Sequence, residues 1–182
     1  ARILAMGEER WRVHTVGLPT LDLIAEGKFA KAQEVVSRLE LDLSRPIVLF
    51  TQHPVTTEYQ NARAQIEPSL QAMTELAANG AQILITYPNN DAGSSEIIAQ
   101  INTLIKRDIK GVLLHRSLGR HLYHGVLALA REPNADVVCV GNSSSGIKET
   151  PAFGCPTVNI GSRQDGRLRG KNVIDVGYER DA

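Results

Sequence analysis

Short, mostly apolar runs recur along this chain, with room for about one helix between successive runs. Ile47-Val48-Leu49-Phe50, Gln82 to Tyr87, Gly111 to Leu114, Ala135 to Val140 and Pro156 to Ile160 all have strand length. Apolar side chains on both faces of a strand need cover on both faces, which is the condition of a parallel sheet between helices. The intervening segments supply that cover. Roughly 62–78 sets Ile66, Leu70, Met73, Leu76 and Ala77 along one side, with Gly80 where a C-terminal cap belongs. Ser94 to Lys106 repeats the pattern with Ile97, Ile98, Ile101, Leu104 and Ile105, and Lys28 to Leu39 and Leu118 to Ala130 read as further helices. A helical turn over 20–25, a helix from Ile147 to Phe153 and a last strand Val173 to Val176 complete the series. Trp11 to Val16 alternates as a short strand closed by Gly17-Leu18-Pro19. The alternation predicts an α/β fold, a doubly wound, Rossmann-like parallel sheet with right-handed crossovers, forming one domain over residues 1–182 with no internal linker.

In such a sheet ligands bind outside the carboxyl ends of the strands. Topology therefore gathers the polar segments 51–58, 89–94, 115–117, 142–146 and 161–164 on one rim. The most informative is Val137-Val138-Cys139-Val140-Gly141-Asn142-Ser143-Ser144-Ser145-Gly146-Ile147-Lys148-Glu149. A buried strand, a loop of small residues and a helix start are the geometry that binds phosphate, because backbone amides and hydroxyls are left free to donate. Glu149, about one turn into the helix, either favours the helix dipole or accepts hydrogen bonds from a sugar diol. Phosphate together with hydroxyls suggests a nucleotide or nucleotide sugar. Asn and Ser are also ordinary N-cap residues, so the junction by itself requires no ligand.

Single residues on the rim divide in the same way. His53 follows a buried strand and precedes Pro54, where its imidazole can stabilise a departing phosphate or merely order the loop. Asn89 can contact a base or sugar, or serve as a turn former after Tyr87-Pro88. Arg163 follows Gly161, where a guanidinium can reach phosphate or ribose. His115 closes a strand, and His121 and His124 lie three apart on a helix without an evident third metal ligand. No Walker loop, Gly-x-Gly-x-x-Gly or Ser-His-Asp order is present. A formal net charge of zero lacks the electrostatic footprint of a nucleic-acid binder. No apolar run reaches membrane-spanning length. Cys139 and Cys155 read as core residues in no metal pattern, so a cytoplasmic location is expected. Ala1 to Met6 reads as the end of a helix already under way, without an initiator Met, so the chain is expected to be a fragment.

Four motifs then carry a resemblance. Gln52-His53-Pro54-Val55-Thr56-Thr57-Glu58, Tyr87-Pro88-Asn89-Asn90-Asp91-Ala92-Gly93-Ser94, Asn142 to Glu149, and Pro156 to Arg167 resemble, in order, the UDP-N-acetylglucosamine 2-epimerases. The match is closest to the hydrolysing branch that makes N-acetylmannosamine for sialic acid synthesis, and Trp11 to Gly17 is similar to the strand that enters the second domain of that family. The resemblance implies two Rossmann-like domains in the glycosyltransferase-B arrangement, with the active site between them. It implies elimination of UDP across C1 and C2 of the sugar, then addition of water to a 2-acetamidoglucal intermediate. This chain resembles the second, UDP-holding domain. The domain supplying the acidic acid/base residues is expected to be absent, and a homodimer is expected at full length.

Carried over by residue, the resemblance gives His53 a catalytic or leaving-group role, Asn89 a UDP contact, and Ser143 and Ser144 the diphosphate. It gives Glu149 the ribose hydroxyls and Arg163 a further nucleotide contact. Arg116 lies in a nucleotide-lining segment, although it departs from the residue expected there. No cofactor or metal is implied; the expected ligand is UDP-N-acetylglucosamine, with neither nucleic acid nor membrane. Other readings are a non-hydrolysing epimerase, a hydrolysing epimerase of a UDP-2,4-diacetamido sugar, the donor domain of a glycosyltransferase, and a non-catalytic nucleotide-binding domain.

Overall fold

A computed structural model describes residues 2–180. Along the chain come α1 (Arg2–Ala5), α2 (Pro19–Ala25), α3 (Ala32–Leu39), β1 (Ile47–Thr51), α4 (Ala62–Ala78), β2 (Gln82–Thr86) and α5 (Ser94–Ile105). Then follow β3 (Val112–His115), α6 (Gly119–Ala128), β4 (Val137–Gly141), α7 (Ser145–Lys148), α8 (Thr150–Phe153), β5 (Thr157–Ile160) and β6 (Val173–Val176). Every strand pairing is parallel, and the spatial order is β3-β2-β1-β4-β5-β6. That is the Rossmann order, and it reverses direction between β1 and β4.

All residues of β1 and β2 are buried, as their apolar runs demand. Period-two geometry divides each strand between two cores. Ile47, Leu49 and Leu84 pack with α3, α6 and Phe153, while Val48, Phe50, Ile83 and Ile85 pack with α4 and α5. Leu49, Phe50, Ile83, Leu84 and Ile85 are fully buried; each such side chain contributes about 1.5–3 kcal/mol relative to exposure. Gly125 lets α6 lie close on its neighbour, since a Cβ there would come within 2.6 Å of Val35 Cγ2 and 2.8 Å of Ala30 Cβ.

Two expected elements differ. The alternating stretch Trp11 to Val16 forms no strand. Arg10–Arg12 is a 3-10 turn, the Trp11 indole N–H donates to Glu9 at 2.9 Å, and Trp11 and Val16 are exposed. Alternation makes a strand only when a neighbouring strand pairs with it, and no strand of the sheet pairs with this segment. The helix expected over 147–153 is two short helices broken at Glu149, whose backbone (φ −108°, ψ −40°) departs from helical values. Pro151 explains the break: it has no N–H to continue the first helix, and it starts the second. Of the expected opening helix, Arg2–Ala5 is helical, and Ala1 lies outside the described residues.

Candidate functional site

The site is built where the strand order reverses. β1 and β4 run in register as far as Thr51 and Gly141. Gly141 takes φ +130°, and a Cβ on it would fall 1.9 Å from the Thr51 carbonyl oxygen, so only glycine fits. The chain then delivers Asn142 into the core with its side chain against the loop after β1. Asn142 Oδ1 accepts the His53 N–H at 2.7 Å, and its Nδ2 donates to the His53 carbonyl at 2.8 Å. Its own carbonyl accepts from Gln164 Nε2 at 2.7 Å and from Arg163 Nη1 at 3.1 Å. One buried Asn therefore joins the loops that follow β1, β4 and β5.

His53 is buried, and its Nδ1 accepts the Asn89 N–H at 3.1 Å. The Asn89 loop is held in turn by Ser94, whose hydroxyl donates to the carbonyls of Asn89 and Asp91. Burial, and next the charge of Arg163, push the His53 imidazole down from 6.5 to about 4 against the opposing pull of Asp91. At neutral pH the ring is therefore uncharged. With Nδ1 occupied as an acceptor, the proton sits on Nε2, leaving a neutral N–H donor for a ligand.

Beside His53 opens a cleft of about 330 Å³. Of the residues singled out from sequence, His53, Asn89, Arg116, Ser143 and Glu149 line it together. Ser144 does not. It is the N-cap residue of α7, and its carbonyl accepts the Lys148 N–H at 3.0 Å. Arg163 lines a separate polar recess with Thr56, Thr57, Glu58 and Ser162, and faces Asp91 at 3.8 Å.

The cleft also holds Ser145 and Tyr123, which the sequence did not mark, and His124, which it marked only as lacking a third metal ligand. Ser145 takes the place expected for Ser144: its hydroxyl lies 3.0 Å from that of Ser143 and 2.6 Å from the Tyr123 hydroxyl. Burial pushes the Tyr123 phenol well above its usual range, so this chain of hydroxyls stays neutral. The next residue on α6, His124, meets Glu149 with Nε2 to Oε2 at 2.8 Å. Tyr123 and His124 lie on a helix whose apolar spacing gave no hint that they point toward a rim. Asn142 was legible only as part of a turn.

The arrangement is bipolar. Hydroxyls of Ser143 and Ser145 and the His53 N–H offer donors, and Glu149 offers a carboxylate, around one open space. Such a cleft suits a ligand with an anionic group and sugar-like hydroxyls. Among the described residues no group of three or more His, Cys, Asp or Glu could hold a metal ion. Among the same residues no helix is long and apolar enough to cross a membrane.

Fold and cleft together define a Rossmann-like α/β domain with a polar site at its topological switch point. The comparison with known families goes further: residues 1–182 match the profile described as UDP-N-acetylglucosamine 2-epimerase, and the chain belongs to that family. It is 37% identical over 181 residues to the UDP-N,N'-diacetylbacillosamine 2-epimerase (hydrolyzing) of Legionella pneumophila, covering 100% of this chain and 45% of that protein. It is 33% identical over 179 residues to the UDP-N-acetylglucosamine 2-epimerase of Neisseria meningitidis, covering 98% and 44%. It is 32% identical over 174 residues to the GDP/UDP-N,N'-diacetylbacillosamine 2-epimerase (hydrolyzing) of Campylobacter jejuni, covering 96% and 43%. The chain thus spans less than half the length of these curated relatives.

Proposed function

We propose that this chain is the UDP-holding half of a hydrolysing UDP-N-acetylglucosamine 2-epimerase, and that another domain of the same protein supplies the acid/base residues. The observation that carries the reading is the cleft at the switch point, where a neutral His53, paired serine hydroxyls and Glu149 face one space. In the proposed reaction the C2 proton and the C1–O bond to UDP are lost together, giving a 2-acetamidoglucal, and water then adds to give N-acetylmannosamine. Negative charge grows on the diphosphate as the bond breaks. Preoriented donors placed where that charge develops lower the barrier, and a neutral imidazole N–H serves this end without gaining or losing a proton. Glu149 on the ribose diol would anchor the part of the substrate that does not react, which positions the part that does.

A second reading concerns the sugar. The Legionella and Campylobacter relatives are named for N,N'-diacetylbacillosamine, which favours a UDP-2,4-diacetamido sugar as the substrate. The test is to incubate the full-length protein with each nucleotide sugar and to follow free UDP and the released sugar by NMR. Release of UDP together with the C2-inverted free sugar is expected from one of the two. Inverted nucleotide sugar without UDP release would move the protein to the non-hydrolysing branch, and no change in either substrate would overturn the proposal.

A further inference from the structure

The cleft contains a pairing that no role assigned so far requires. His124 is 1% exposed and sits on the core face of α6, tilted against the Phe153 ring at 5.5 Å. Its Nε2 meets Glu149 Oε2 at 2.8 Å, while its Nδ1 has no hydrogen-bond partner among the described residues. An ionised carboxylate can only accept, so the proton of a neutral His124 lies on Nε2. Burying an imidazole edge without a partner costs free energy, so the pairing is weakly explained by stability of the fold alone. A leucine here would extend the apolar face of Leu122, Val126 and Leu127 at lower cost.

The geometry around Glu149 shows what the histidine supplies. Glu149 stands at the break between α7 and α8, where its N–H donates to the Ser145 carbonyl at 2.9 Å; that bond holds the backbone and leaves the side-chain torsions free. Thr150 secures the backbone next to it by donating from Oγ1 to the Gly146 carbonyl at 2.6 Å. Among the described residues, the hydrogen bond that holds the carboxylate itself comes from His124. That contact uses Oε2 and leaves Oε1, with further lone pairs on both oxygens, toward the cleft that both residues line.

We propose that His124 is a positioning residue for the nucleotide: its Nε2–H fixes the Glu149 carboxylate in the orientation that accepts the two hydroxyls of the ribose. This rests on the reading of Glu149 as the ribose ligand. His124 acts through Glu149: it removes the freedom that the carboxylate would otherwise lose on binding.

The test uses UDP and 2′,3′-dideoxy-UDP in calorimetric titrations of the full-length protein. A merely structural histidine would weaken both ligands alike when replaced. A positioning histidine affects only the ligand that has the diol. His124→Phe is expected to lower UDP affinity about tenfold, the scale of a hydrogen bond to a charged group, and to leave dideoxy-UDP unchanged. His124→Gln, which keeps a donor, is expected to recover most of the difference, and it covers the case in which the Phe variant does not fold. Equal losses for both ligands in His124→Phe, or no recovery in His124→Gln, would overturn the proposal. Glu149→Gln separates the two levels. If it leaves the preference for UDP over dideoxy-UDP intact, the ribose assignment itself is wrong; if it abolishes the preference while His124→Phe does not, only the positioning role is wrong.

Discussion

Asn142 holds His53 by both of its backbone polar groups, accepting the N–H at 2.7 Å and donating to the carbonyl at 2.8 Å. The two residues are far apart in sequence and belong to loops on adjacent strands, so the contact fixes where one rim loop sits relative to the other. It also explains how an imidazole can remain buried at a loop. The backbone that carries His53 has no hydrogen-bonding demand left for solvent to satisfy.

Asn142→Leu should therefore destabilise the protein more than a surface change of similar size. It strands a buried N–H and a buried C=O, each costing about 1–3 kcal/mol, for a total of about 2–6 kcal/mol. Urea unfolding would measure it. A loss below about 0.5 kcal/mol, the range of neutral surface substitutions, would mean that the two loops are held by something else.

His53 gives a pH dependence whose sign is fixed. Its value falls from 6.5 in the unfolded chain to about 4 in the folded one, because burial and Arg163 disfavour the cation. The unfolded state thus binds the proton more readily between those values. The associated stability is fully present above pH 6.5 and is lost as pH falls toward 4. The shift corresponds to at most about 3 kcal/mol. In His53→Gln the stability difference between pH 7 and pH 4.5 should shrink by a large part of that amount. An unchanged difference would show that His53 does not titrate late.

The same residue bears on turnover. Under the proposed function His53, with its proton on Nε2 and no charge to lose, would act as a fixed dipole, and His53→Ala in the full-length protein should lower the rate of UDP release about 100- to 1000-fold. The fold should remain intact by circular dichroism. Retention of most of the activity would remove His53 from the leaving-group role.

The architecture was largely legible because it rests on continuous apolar runs separated by helix-length segments, and β1 with α4 shows why. A strand buried on both faces and a long one-sided helix leave few alternatives. What escaped were features set by tertiary context. Trp11 to Val16 has strand alternation but pairs with no strand of the sheet, and Pro151 divides a helix that its neighbours would continue. At the site, His53, Asn89, Ser143 and Glu149 were readable from their places after strands. Tyr123 and His124 were not, since a polar residue in a helical apolar stripe has the same local pattern whether it lines a cleft or is satisfied in the core. That Ser145 lines the cleft and Ser144 does not was equally hidden, because it depends on which residue of the loop begins α7.

Gly141 offers a test of the backbone. Both Gly141 and Gly154 have positive φ, but a Cβ at Gly154 meets nothing within 4 Å, whereas at Gly141 it would lie 1.9 Å from a carbonyl oxygen. Gly154→Ala should cost about 1 kcal/mol of conformational strain. Gly141→Ala should cost several times more, or prevent accumulation of folded protein, because β1 and β4 must separate to admit it. Thermal melts of the two variants compare them directly. Similar losses would indicate that the strands splay more easily than their pairing implies.

The serine loop provides the sharpest test, since here structure and motif differ. The motif would put Ser143 and Ser144 on the diphosphate; by geometry, Ser143 and Ser145 face the cleft while Ser144 sits at the N-cap position of α7. Calorimetric titration with UDP, UMP and uridine should give affinities in that descending order. Ser143→Ala should weaken UDP about tenfold, in line with loss of a hydrogen bond to a charged group, and leave uridine unaffected. Ser145→Ala should weaken UDP by a smaller factor, because its hydroxyl also orients Ser143 from the Tyr123 side, and Tyr123→Phe should reproduce part of that loss. Ser144→Ala should change UDP binding least. If Ser144→Ala proves the most damaging of the three serine variants, the loop rearranges around the diphosphate, and the motif outweighs the unliganded geometry. If uridine binds as tightly as UDP, neither pair of serines carries the phosphate, and the anionic end of the ligand must be sought in the recess at Arg163.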